Sequence, residues 1–169
     1  MHEIDARYRE LPIERDRDRF LRELLRELAG VIEDTAGLEE AEGFVSVVGG
    51  RLGEKMNGEY RDHIGATPLD REQVAGVLVD LKRRIDGGFR VESIDERRIV
   101  LVNGRCPFGD FVVGRESLCM MTSNVFGRIA ADNLGHVSVE ISEAISRGDE
   151  RCRVVIDLSG QGTGREYFG

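Results

Sequence analysis

The chain of 169 residues carries 24 Lys and Arg against 32 Asp and Glu, a net charge of -8, with 40% hydrophobic and 33% charged residues. This size suits one domain whose core needs no disulfide to fold, and the composition excludes a disordered chain or a membrane span. The acidic balance argues against direct binding of nucleic acid. The opening Met1-His2-Glu3-Ile4-Asp5 lacks the apolar core of an export signal, so a cytoplasmic protein is expected.

Residues 1–15, which include Pro12, read as an N-terminal arm. From Asp16 to Glu33, apolar residues recur at three- and four-residue steps between arginines and glutamates, which predicts a strongly amphipathic helix. Its apolar face is expected to cover its own domain, with pairing to a second copy, a homodimer, as the other use. A second helix is predicted over 38–63. Its Gly49 and Gly53, four apart, share a face and predict close approach of another helix. Gly65-Ala66-Thr67-Pro68 breaks the pattern, and Asp70 stands where it can cap a third helix carrying Val74, Val77, Leu78 and Leu81.

After Gly87-Gly88, alternation over 89–94, followed after Asp95-Glu96 by Arg98-Ile99-Val100-Leu101-Val102, predicts a β-hairpin leading into Cys106. A helix over 117–134 follows, then strands over 136–141 and 151–158 joined through Ser146-Arg147-Gly148-Asp149-Glu150. Gly160-Gln161-Gly162-Thr163-Gly164 lacks the following helix that a phosphate-binding loop requires, so 159–169 reads as a flexible tail, with Tyr167-Phe168 as a small anchor. The expected fold class is α+β: N-terminal helices packed with an antiparallel sheet made from two hairpin-like strand pairs separated by a helix, in a single domain over 16–158.

The three cysteines, Cys106, Cys119 and Cys152, fall after an outgoing strand, at a helix start and at a strand start. Such positions can meet at one end of a sheet, and thiolates are preferred ligands of zinc and iron-sulfur clusters. No CxxC pair occurs, so only the fold can bring them together; inert packing in the core is the competing fate. Three thiolates leave a tetrahedral zinc site one ligand short, with His136, Asp110, Glu116 or water as candidates for the fourth position. The helix start is expected to lower the pKa of Cys119. No nucleophile and base pair is visible, so no catalytic residue is assigned and His63 reads as a helix-end residue.

The run Cys106-Pro107-Phe108-Gly109-Asp110, then Leu118-Cys119-Met120-Met121-Thr122-Ser123-Asn124-Val125-Phe126-Gly127, then Arg147-Gly148-Asp149 and Cys152-Arg153-Val154-Val155, resembles the methanogen output domain. Upstream, Phe20-Leu21-Arg22-Glu23-Leu24-Leu25, Gly43-Phe44-Val45-Ser46-Val47-Val48-Gly49 and Val79-Asp80-Leu81-Lys82-Arg83-Arg84 extend the resemblance over nearly the whole chain. The cysteine frame is also similar to 4-vinyl-reductase-type ligand-binding domains and to the cysteine segment of iron-sulfur regulators of the ArsR type.

The resemblance implies a non-enzymatic signal-transduction output or sensory domain. It would read redox state, a metal or a small ligand through Cys106, Cys119 and Cys152, with zinc or an iron-sulfur cluster as the cofactor, and signal through contact with a partner protein. Neither phosphorylation nor operator binding transfers, because the sequence contains no receiver domain and no winged-helix reader. The alternative is a cofactor-free interaction module with buried, reduced cysteines.

Overall fold

Helix α1 (Arg17–Ala36) starts where Asp16 turns its carboxylate onto the Arg19 amide, the side-chain cap that an aspartate at this position supplies. In this computed structural model, which describes residues 10–169, the chain then reverses at Gly37, whose φ of 96° suits a residue without Cβ. The arm's first nine residues lie outside the described residues. Helix α2 (Leu38–Ile64) and helix α3 (Arg71–Arg84) follow, and α3 opens with a reciprocal capping box between Asp70 and Gln73.

Strands β1 (Phe89–Ile94) and β2 (Arg98–Asn103) form the expected hairpin. Two short 3-10 turns (Gly109–Val112 and Glu116–Leu118) lead into helix α4 (Cys119–Leu134). Strands β3 (Val137–Glu143), β4 (Cys152–Asp157) and β5 (Arg165–Tyr167) complete one antiparallel sheet of order β1-β2-β4-β3-β5. Pairing of β2 with β4 fuses the two predicted strand pairs into this sheet. Register aligns Ile99 with Ile156 and Val139 in one row and Leu101 with Val154 and Ile141 in the next. That face packs on α3 and α4 around Phe126, which is fully buried and meets Phe89 edge-on at 5.5 Å between ring centroids.

Two expectations are corrected. The flexible tail contains β5: Tyr167 pairs with Val137, buries its ring over Gly127, where a Cβ would collide with it, and shares a 2.8 Å hydrogen bond with Ser123. Aromatic burial beside a glycine outweighs the glycine-rich composition of the approach. The second correction concerns α1. Phe20, Leu21, Leu24, Leu25, Leu28 and Val31 are all exposed, whereas only Ala29 and Gly30 are buried on this helix. The side facing the domain carries Arg26, which donates to the Phe111 and Val113 carbonyls, and Glu33, which accepts from Ser117. The apolar stripe of α1 therefore points away from its own core.

Gly49 and Gly53 do what their spacing predicts. A Cβ at Gly49 would stand 2.8 Å from Asn124 Cβ, and one at Gly53 would stand 2.9 Å from Arg128 Cβ, so α2 lies directly against α4. Buried Asn124 reinforces the contact by donating to Ser46 at 2.9 Å.

Candidate functional site

The alternation that turns Val154 and Ile156 into the core carries Cys152 to the same face at the start of β4, opposite Asn103 at the end of β2. The Asn103 side chain ties the two ends together: its Oδ1 accepts from the Cys152 amide at 3.0 Å, and its Nδ2 donates to the Arg105 carbonyl at 2.7 Å, fixing the loop that presents Cys106. Cys119 opens α4, and helical steps of three and seven put it in line with Thr122 and Phe126. All three thiols line one cavity of about 30 Å³. That volume holds on the order of one or two waters or a single ion.

The cavity is mainly apolar. Burial pushes all three thiols up in pKa, Cys119 to about 11, so each favours its protonated form. This reverses the expectation for Cys119. The 3-10 turn ahead of it feeds directly into α4, and its own amide is satisfied by the Glu116 and Ser117 carbonyls, leaving burial dominant. Cys119 also shares a 2.9 Å hydrogen bond with Ser146, and Cys152 accepts from the Ile145 amide at 3.5 Å.

Beside the cavity stands a charged residue that the sequence reading did not assign. Lys82, near the end of α3, is 4% exposed. Its Nζ donates to Thr122 Oγ1 at 2.7 Å and sits 5.6 and 5.3 Å from the ring centroids of Phe89 and Phe126. Thr122 and Phe89 both line the thiol cavity. No carboxylate pairs with this ammonium among the described residues; the anionic forms of Cys106, Cys152 and Cys119 are the groups that would favour its charge. Burial depresses its pKa to about 8. A signal did exist in the sequence, since Val74, Leu78 and Lys82 recur at steps of four and so share the buried stripe of α3.

The proposed fourth ligands are elsewhere. His136 stacks on Phe168 and faces Glu166, and neither it nor Asp110 nor Glu116 lines the cavity. Among the described residues, no three Cys, His, Asp or Glu side chains are already arranged to hold one ion. The donor chemistry suits a soft cation, whose binding by Cys119 would compete with the hydrogen bond between Cys119 and Ser146.

The profile of the family described as Methanogen output domain 1 matches residues 24–157, which include all three cysteines and Lys82. No match was found among curated proteins. Among solved structures, the phenol-responsive sensory domain of the transcription activator PoxR, bound to phenol, is similar at a TM-score of 0.67 and 15% identity, over 84% of this chain and 76% of that one. A trafficking protein particle complex subunit 3 from Naegleria fowleri, covalently bound to palmitic acid, is similar at a TM-score of 0.63 and 16% identity, over 89% of this chain and 99% of that one. At these identities the two structures show a shared fold.

Proposed function

Because this chain belongs to the methanogen output domain 1 family, we propose that it is a non-enzymatic sensory domain that reads a thiophilic metal ion at Cys106, Cys119 and Cys152 and reports through helix α1. The observation that carries this reading is the convergence of three thiols from a loop, a helix start and a strand start on one small cavity beside a buried, carboxylate-free lysine. Three thiolates around a divalent ion carry one net negative charge, which the Lys82 ammonium balances, and a buried site near neutrality avoids the cost of an uncompensated charge. The small volume favours a single ion such as zinc over an iron-sulfur cluster. The fold is one on which a phenol-responsive sensory domain is built, which supports a sensory role for this chain.

Transmission has a physical route. Cys106 and Phe108 pack against Val112 and Leu118, and these pack on Ala29 of α1. Glu33 of α1 accepts from Ser117 Oγ at 2.6 Å, and Arg115 lies 3.4 Å from its carboxylate. Thiols drawn together on one ion would shift this shell and with it the C-terminal half of α1.

Hydrogen exchange under anaerobic, reducing conditions tests this reading. One equivalent of zinc(II) should slow exchange over 106–119 and over 29–36, while Ser substitution of the three cysteines together should abolish both effects. Protection near the cysteines with no change in α1 would contradict transmission. No protection anywhere would favour a cofactor-free interaction module.

A further inference from the structure

We infer that the outward face of α1 is an isologous dimer interface, in which a second copy of this chain lies antiparallel along it. A 20-residue helix whose buried positions are only Ala29 and Gly30 gains little from burial in its own domain, whereas most helical stability in proteins comes from packing an amphipathic face. Its large apolar residues instead form a stripe on the opposite side: Phe20 is 50%, Leu28 51% and Val31 58% exposed. The apolar surface continues in sequence onto the first half of α2 with Phe44, Val47, Val48 and Leu52, again exposed. Large apolar residues exposed along one helix stripe mark an interaction surface.

Charge selects the occupant. Between Arg15 and Arg26 the chain has five arginines, at 15, 17, 19, 22 and 26, against three acids, Asp16, Asp18 and Glu23, a net of +2. From Glu27 through Gly50 it has six acids, Glu27, Glu33, Asp34, Glu39, Glu40 and Glu42, and no Lys or Arg, a net of -6. Arg26 and Glu33 face the domain; without them the two stretches carry +1 and -5, so the outward side keeps both halves of a complementary pattern. A two-fold partner running antiparallel sets the exposed Arg17 and Arg19 of each copy toward the exposed Glu27 and Asp34 of the other, whereas a parallel pair would set like ends together. The pairing stands independently of the thiol cavity; it rests on the sensory reading only in supplying the partner to which α1 reports.

Sedimentation equilibrium of the full chain should give twice the chain mass. The double variant L24D/L28D, altered only at exposed positions, should keep its far-ultraviolet circular dichroism and raise the dissociation constant by at least ~100-fold. Two charge-reversed chains, R17E/R19E and E27R/D34R, should each dimerise more weakly than wild type and form a heterodimer when mixed. A monomeric wild-type chain, or an undiminished dimer in L24D/L28D, would overturn the interface; a mixture no tighter than its components would overturn the antiparallel arrangement. A chain with all three cysteines changed to Ser should remain dimeric, so failure of the thiol reading leaves this result in place.

Discussion

Replacing Lys82 with Met should stabilise the protein near pH 7 by about 2 kcal/mol, measured by urea unfolding at fixed chain concentration. A drop in pKa from 10.5 to about 8 corresponds to about 3 kcal/mol of penalty on the buried ammonium, and losing its hydrogen bond to Thr122 returns about 1 kcal/mol. The sign follows from proton linkage. Between pH 8 and 10.5 the unfolded chain holds a proton on Lys82 that the folded chain has released, so the wild type gains stability as pH rises across that window. The advantage of Lys82→Met is therefore full below about pH 8 and fades by 10.5.

Cys119 acts in the opposite direction. Its raised pKa gives stability that is present below its ordinary value of 9 and lost as pH rises toward 11. Both chains retain the thiols, and because Lys82 also lowers the pKa of Cys106 and Cys152, the difference between the two pH profiles reports Lys82 together with its coupling to them. A variant that gains stability while losing zinc-dependent protection of α1 would show a buried charge retained for function at a cost in stability. A loss of stability at pH 7 would instead mean that Lys82 is already compensated within the fold.

Substituting Gly53 with Val should cost about 3 kcal/mol, the upper range for forcing atoms into a packed interface. A Cβ there meets not only Arg128 Cβ at 2.9 Å but also the Cα and carbonyl oxygen of Val125 at 3.2 Å, and backbone atoms of a helix cannot swing aside as a side-chain tip can. The same helix supplies the control. Gly58 is exposed with nothing within 4 Å of its added Cβ, so Gly58→Ala should stabilise by about 0.5–1 kcal/mol through helix propensity alone. Thermal unfolding of the pair should move in opposite directions; a neutral Gly53→Val would mean that α2 is free to slide on α4.

The elements governed by local chemistry were legible in the sequence. Asp70 announces the start of α3, the alternation of 89–94 and the apolar run over 98–102 announce the hairpin, and the four-residue spacing of Gly49 and Gly53 announces a close helix contact. The pairing of β2 with β4 was not, because it joins segments some fifty residues apart whose patterns also fit separate hairpins. Tyr167 reads as a small anchor, but its strand and its place in the core are not legible, because the gap it fills is created by Gly127 on another element.

For α1, periodicity located the apolar stripe but could not say which way it faces. That direction is set by the opposite side, where Arg26 and Glu33 grip the loops before α4. At the site, the three cysteines could be picked out by ligand chemistry, but their fourth-ligand candidates could not be tested without the fold. Lys82 carries two opposed signals: its step of four from Leu78 puts it on the buried stripe, while in Lys82-Arg83-Arg84 it reads as one of the basic residues usual at a helix C-terminus, and packing against Phe89, Phe126 and Thr122 sets it apart from the two exposed arginines.

The central claim, that the three thiols act as one site, is tested most directly by anaerobic titration with cobalt(II) as a spectroscopic substitute for zinc, in the wild type and in the variants Cys106→Ser, Cys119→Ser and Cys152→Ser. The account predicts sulfur-to-cobalt charge-transfer absorption that saturates at one equivalent per chain and is weakened in every single variant. Absence of that absorption in the wild type, or its survival undiminished in any of the three variants, would contradict it.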